Sequence, residues 1–348
     1  MALTRGERGE LKAGGVTVLR GLGVAGGYYL AAKVDVFTAP LAGPISSLWI
    51  PTGVALACLV TFGLRTWTAL GIALGALASS VPELPTSAAL LVSLGNTLAP
   101  VCAYLVLRLA GFRMELDRLR DALALVFLGA FGAMTISATL GSVAVTGMTE
   151  QLDIGFLQVW AVWWSSDALG VLVVTPFLLV LLRLRLVRGV GWGRWVELSL
   201  LLLATFVVSA VATRSFDVLF LAFPLVIWAA WRFQLSGVAP CTLVVSAVAV
   251  DAAANEYGLF AGRTLLSNIA ILHAFNGAIV LSGLFLAVVI AEWRTSRAAI
   301  EDAMDRLVDA VDQLRSSTLP HPDHLLSLRD IGHVQEQEQG TEKKLSQG

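Results

Sequence analysis

This 348-residue chain predicts an all-α bundle of membrane-crossing helices, and three observations carry that prediction. Hydrophobic residues make up 57% of it and charged residues 14%, with a mean hydropathy of +0.78. Soluble domains carry about 25% charge, so the deficit is that of a chain solvated by lipid. About ten apolar stretches follow one another, most of roughly 18–25 residues, long enough to cross a hydrocarbon core of about 30 Å at ~1.5 Å rise per residue. The loops between them alternate in charge. The net charge of −1 says little, since in a membrane protein the position of each charge matters more than the sum, and the sequence shows no basic surface of the kind that binds nucleic acid.

In chain order the predicted spans are 14–32, 44–63, 66–82, 87–110, 119–147, 157–183, 196–212, 217–232, 237–254 and 267–291. Eight spans result if weak ones merge, though merging breaks the charge alternation around Arg232. Residues 1–13 form a polar N-terminal segment with no cleavable signal sequence, and 14–291 form the membrane domain. One set of loops carries Arg65, then Arg108, Arg113, Arg118 and Arg120, then Arg183, Arg185, Arg188 and Arg194, then Arg232. The alternate loops carry mainly Asp35, Glu83, Glu150, Asp153, Asp217 and Glu256. The positive-inside bias therefore predicts a multi-pass protein of the inner (plasma) membrane with both termini cytoplasmic. Pro51, Pro100, Pro176 and Pro224 fall inside spans, where neighbouring helices can satisfy freed backbone groups, so they read as kinks. Gly71 and Gly75 predict a close helix contact. Cys58, Cys102 and Cys241 each lie in an apolar stretch and read as small buried hydrophobes.

After Ala291 the character changes. Ile300, Met304, Leu307, Val311 and Leu314 recur at alternating spacings of four and three, a heptad seam that continues the last span. Residues 292–318 then read either as a solvated amphipathic helix or as a parallel coiled coil that makes a homodimer and carries motion out of the membrane. Beyond it, 319–348 is polar and expected to be disordered.

Asp167 lies about ten residues into the sixth span, where a carboxylate costs roughly 2.5–3.5 kcal/mol on insertion scales. Trp160, Trp163, Trp164 and Asp167 share one helix face, with Ser165 and Ser166 beside it. Asn96 sits at similar depth in the fourth span, where Thr97 or Asp167 could supply the partners that a buried amide needs. Trp49, Pro51 and Thr52 lie in the outer half of the second span, and His273 and Asn276 one turn apart in the outer half of the tenth. With these helices all running from outside to inside, their polar groups predict a vestibule open to the exterior. For Asp167 a structural hydrogen bond and a ligand or proton site both remain open.

Catalytic patterns do not occur. There is no GxxxxGK[ST] loop, no HExxH, and no Ser/His/Asp set outside the spans. His321 and His324 sit in the tail without a helical seam, and the residues after the last span are too few for a catalytic domain. The expectation is a non-enzyme with no metal and no cofactor, whose partners are the bilayer and other proteins.

The segments LWIPTGVALACLVTFGLRTWTALGIALGALAS, LGNTLAPVCAYLVLRLAGF and VWAVWWSSDALGVLVVTPFLLVL resemble the first-type membrane-associated sensor domain of bacterial signalling proteins. The runs FPLVIWAAWRFQLSGVAPCTLVVSAVAV and LHAFNGAIVLSGLFLAVVIAEW are similar to its second half, so the resemblance covers roughly residues 15–295. It implies an input module placed before kinase, diguanylate cyclase or phosphatase outputs. The family features fall on Trp49, Pro51 and Gly53, on Gly95 and Asn96, on Trp163 and Trp164, on Asp167 and Gly170, on Pro176, and on Pro224, Trp228 and Arg232. Two places depart from the family pattern: NEYGLFAG lacks a Gly-Pro-Phe, and His273-Ala274-Phe275 replaces a Gln-Phe pair.

The leading expectation is thus a two-component-type sensory module. A small ligand or membrane protein in the vestibule moves the tenth helix, and an output protein acts in trans. The alternatives are a transporter, for which no internal repeat is evident, and a non-catalytic membrane partner subunit.

Overall fold

A computed structural model describes residues 5–38, 47–80, 84–148, 155–184, 191–215 and 218–318. The described residues form α1 (Arg5–Thr38), α2 (Ile50–Phe62), α3 (Thr66–Ala78), α4 (Thr86–Leu109), α5 (Leu119–Leu123), α6 (Met134–Met148), α7 (Phe156–Leu184), α8 (Trp192–Ser215), α9 (Ala222–Phe233), α10 (Leu235–Ala254) and α11 (Leu265–Thr318). No strand occurs among them. A π-helical segment, Ala124–Gly132, joins α5 to α6. The protein is an all-α polytopic bundle, and every predicted stretch holds a helix.

Among the described residues, six segments are long and apolar enough to cross a membrane: α4, the run from α5 to α6, α7, α8, α10 and α11. The helices Ile50–Phe62, Thr66–Ala78 and Leu219–Phe233 are shorter. The expectation of ten spans of similar length is therefore loose. α2 stops because Gly63 takes a φ of 77°, a conformation open to glycine, and α3 starts three residues later. The second span also begins late: Trp49 is the non-helical N-cap of α2, and Pro51 sits in its first turn. Pro51 and Pro224 thus open helices, where the missing N–H is an orphan anyway, and do not kink them. Pro100 and Pro176 do lie inside α4 and α7. α4 ends in a Schellman motif: Phe112 N–H bonds the Leu107 carbonyl at 3.0 Å and Gly111 N–H, with φ 71°, bonds that of Arg108 at 3.1 Å.

Two compact units divide the chain, 1–292 and 293–348. In the first, polar groups are inside and large apolar ones outside. Leu19 (71% exposed), Leu70 (57%) and Leu109 (86%) face outward, while Asp167, Ser142 and Thr68 are fully buried. This is the surface of a protein bathed in lipid. α7 is the axial helix, buried at every position from 166 to 176. Small residues bring the others in. Gly71 and Gly75 of α3 receive α1 so closely that an added Cβ would lie 2.9 Å from Val24 Cβ and 2.7 Å from Tyr28 Cβ. The predicted contact is therefore real, and those pairings make α1 and α3 run in the same direction. Gly53 of α2 and Gly170 of α7 bring two backbones together, Gly170 against the Trp49 carbonyl. Gly141 of α6 lies under the Trp163 ring, and Gly283 of α11 faces Val226 and Val238 of α9 and α10.

α1 begins at Arg5, within the segment set apart from the sequence. In the second unit the described residues 293–318 are helical, and Ile300, Met304, Leu307, Val311 and Leu314 are all at least 60% exposed. The predicted disordered tail, with His321 and His324, and the loop charges Glu83, Glu150, Asp153, Arg185, Arg188 and Asp217 lie outside the described residues.

Candidate functional site

The close approach of α2 to α7 has a chemical consequence. With Gly53 and Gly170 letting the backbones touch, Trp49 N–H bonds the Ser166 carbonyl at 3.2 Å, and Thr175 donates to the Gly53 carbonyl at 3.1 Å. Thr52 is thereby held against Asp167, and its hydroxyl donates to Asp167 Oδ1 at 2.8 Å. Asp167 is 0% exposed. Its Oδ2 is buried without a hydrogen-bond partner, with Ser137 and Trp163 near enough to polarise the carboxyl.

A second chain of polar groups runs beside it. Trp163 Nε1 donates to Ser137 Oγ at 3.3 Å, and Ser137 donates to Asn96 Oδ1 at 2.8 Å. Asn96 is 4% exposed. Thus α2, α4, α6 and α7 contribute Thr52, Asn96, Ser137, Trp163 and Asp167 to one network in the interior. The carboxylate of Asp167 and the amide of Asn96 are both buried in the bundle interior. The partner of Asn96 differs from expectation: it is Ser137, while Thr97 is turned back onto the Ser93 carbonyl at 2.7 Å.

Toward the start of α7 the network grades into aromatic rings. Trp160 stacks on Trp164 with centroids 5.8 Å apart and planes 6° apart. Trp164 donates to the Phe131 carbonyl at 2.9 Å in the π segment, and Trp160 to Thr139 of α6 at 3.1 Å. His273 of α11 is tied at both ring nitrogens, Nδ1 to Ser165 Oγ at 2.6 Å and Nε2 to the Ser47 carbonyl at 2.9 Å. It therefore links α11 to α7 and to the segment leading into α2. Pro51 is buried in the α2 turn. Asn276 is fully buried, yet neither amide atom has a partner, so no hydrogen bond joins it to the network.

Two participants escape the sequence reading, Ser137 and Tyr28. Tyr28 of α1 is 0% exposed, and its hydroxyl, without a bonding partner, lies within electrostatic range of Asp167 and near the Trp49 indole. Trp49 Nε1, Ser47 Oγ and Ser166 Oγ are likewise buried and unpartnered. Buried polar groups normally find partners, and among the described residues these donors and acceptors have none.

At the Arg183–Arg232 end of the first unit, a cavity of about 420 Å³ is lined by Leu116, Asp117, Arg183, Arg194, Phe233 and Ala291, among others. Glu115 there pairs with Arg183 and, at 3.6 Å, with Arg113. Partial burial acts to raise the Glu115 carboxyl, but its own backbone N–H and the two guanidiniums outweigh it and hold the group below the ordinary glutamate range. Glu292 closes the same end by accepting the Leu119 N–H at 3.1 Å.

No curated protein and no solved structure matches the chain. A family model does: MASE1 matches residues 22–294. That span contains every member of the Thr52–Asn96–Ser137–Trp163–Asp167 network and the His273 link to α11. On that match the chain belongs to the MASE1 family, membrane-associated sensor domain 1, the membrane sensory input domain of signalling proteins.

Proposed function

We propose that a small ligand or a membrane partner is read at the network around Asp167, and that its binding shifts α11. The observation that supports this is the double tether of His273, which bonds α11 to Ser165 of α7, two residues before Asp167, and to the segment before α2. Any change in the α2–α7 contact is thereby felt by the helix that runs on to Thr318. A ligand shifts such an equilibrium only as far as its affinities for the two arrangements differ. In this reading both termini are cytoplasmic and the membrane is the bacterial plasma membrane. The Ile300–Leu314 seam forms a homodimer, and a kinase, cyclase or phosphatase receives the signal. Oxidative cross-linking of Leu307→Cys in membranes tests the dimer: a covalent dimer supports it, and its absence with normal expression removes it.

The sensory site is tested by fusing residues 1–318 to a reporter kinase and substituting Asp167→Asn or Trp163→Ala. Asp167→Asn keeps the shape of the side chain and removes its charge. Altered basal or stimulated output at normal membrane levels supports the proposal. Unchanged output in both variants removes the site.

A permease is the second reading, favoured by Pro100 and Pro176 on the helices that carry Asn96 and Asp167, since transporters place broken helices beside midplane polar groups. Flux of small anions into proteoliposomes, abolished by Asp167→Asn, would select it.

A further inference from the structure

A cavity of about 570 Å³ lies between α1 and the α2–α3 hairpin, apart from the Asp167 network. Two arginines, Arg20 and Arg65, are the charged residues in its lining, and no carboxylate lines it. Among the described residues neither guanidinium forms an ion pair. Arg20 instead lies over the Trp67 ring, 6.0 Å from its centroid, and Trp67 packs against Phe62 at 5.5 Å. The Thr61 hydroxyl, also in the lining, is buried without a partner.

From this charged end the cavity runs between Gly23, Val24 and Gly27 of α1 and Val54 and Cys58 of α2. Seven residues of helix separate Arg20 from Gly27, about 10 Å. The two glycines are telling. At Gly71, Gly75 and Gly53 glycine admits a neighbouring helix, whereas a Cβ added at Gly23 or Gly27 meets nothing within 4 Å. The space above them is open, and the flanking Leu19 and Leu22 are 71% and 59% exposed on the lipid-facing surface.

We infer that this cavity holds an acidic phospholipid of the bilayer, its phosphate on Arg20 and Arg65 and part of an acyl chain over Gly23 and Gly27. Charge complementarity selects that occupant. Two guanidiniums, with the Thr61 hydroxyl beside them, suit a headgroup of net negative charge. A zwitterionic head would bring its ammonium against two cations with no carboxylate to receive it. The glycine groove and the Val54–Cys58 wall suit a hydrocarbon chain. In the topology proposed above, Arg65 faces the cytoplasmic leaflet, where basic groups meet anionic lipid. The inference otherwise stands apart from the sensory proposal, because no residue of the Asp167 network lines the cavity.

The test is native mass spectrometry of the purified, delipidated chain offered equal amounts of phosphatidylglycerol and phosphatidylcholine with identical acyl chains. The wild type is expected to retain phosphatidylglycerol at least tenfold over phosphatidylcholine. The double variant Arg20→Gln, Arg65→Gln should bring that ratio close to one. Should the double variant elute as aggregate, Arg65→Gln alone carries the test, since Arg65 is exposed in a turn. Gly27→Leu puts a side chain into the groove where a Cβ meets nothing within 4 Å, so it should reduce retention of both lipids without lowering the unfolding midpoint in pure detergent. Equal retention of the two lipids by the wild type overturns the inference. So does full preference in the arginine variants, undiminished retention in Gly27→Leu, or displacement of bound lipid by millimolar inorganic phosphate.

Discussion

Two glycines of similar sequence context should respond in opposite directions to the same substitution, and the structure sets the size of each response. At Gly53 an alanine Cβ would lie 2.6 Å from Val174 Cβ and 3.0 Å from the Gly170 carbonyl carbon. The Gly170 carbonyl oxygen would lie closer still, so to regain an ordinary contact of 3.4 Å α2 must retreat from α7 by more than the ~0.8 Å that Val174 alone demands. Backbone lines one side, so a rotamer change cannot absorb it. Overpacking of this kind costs ~1–3 kcal/mol. The retreat also draws Thr52 from Asp167, stretching a 2.8 Å bond beyond bonding range, and a buried acceptor left unmade costs about 1–3 kcal/mol. Gly53→Ala should therefore destabilise by roughly 2–5 kcal/mol. Gly26 of α1 meets nothing within 4 Å. There alanine removes only the excess chain entropy of glycine in a helix, and Gly26→Ala should stabilise by up to ~1 kcal/mol. Equilibrium unfolding in mixed micelles, followed by tryptophan fluorescence, measures both. If the two variants unfold alike, the α2–α7 contact is looser than described and the placement of Thr52 on Asp167 falls with it.

Ser137→Ala breaks the relay from Trp163 to Asn96 and leaves the Asn96 carbonyl unsatisfied in the interior. It should cost ~1–3 kcal/mol in the same unfolding assay, and Ser137→Thr should restore part of it. Glu115 is held below its ordinary range, so its contribution is present above the unfolded value and fades as pH falls through the lowered folded one. Both partners are about 40% exposed, so the effect should stay under about 1 kcal/mol. Glu115→Gln should flatten that acidic limb of the stability profile and leave neutral pH almost unchanged. Glu292→Ala removes the acceptor for the Leu119 N–H. Hydrogen exchange at the start of α5 should then quicken, with a loss of ~0.5–1 kcal/mol.

The membrane class and the helix order are legible in the sequence because they depend on long apolar runs, a signal that no tertiary contact can hide. Length is less legible. The break at Gly63 falls where the second span is read to end, but α2 starts only at Ile50 and α3 stops at Ala78, leaving 13 residues each. Continuity is legible: the heptad seam after Ala291 reads as an extension of the last span, and α11 runs unbroken from Leu265 to Thr318. Asp167 and Asn96 stand out because a carboxylate or an amide in an apolar run is costly. Ser137 does not, since a lone serine can satisfy itself on its own helix, as Ser93 does on Ala89. Only the facing Gly95, 3.3 Å from the Ser137 Cα if given a Cβ, shows why this serine meets Asn96. Tyr28 is hidden for a similar reason: an aromatic residue in a span reads as a lipid-facing or interfacial ring until Gly75 is seen to receive it.

The wide ladder between Ala124 and Gly132 makes this bundle unequal in its tolerance of length change. Its i→i+5 bonds, such as Ala133 N–H to the Leu128 carbonyl at 3.0 Å, can tighten to i→i+4 when one residue is removed. Such a deletion would be swallowed locally, and Ser137 would keep its bearing. The same deletion ahead of Asp167 in α7 would swing the whole upstream face of that helix by about 100° against the carboxylate. Insertions and deletions surviving in homologues should accordingly collect at the first place and be absent from the second.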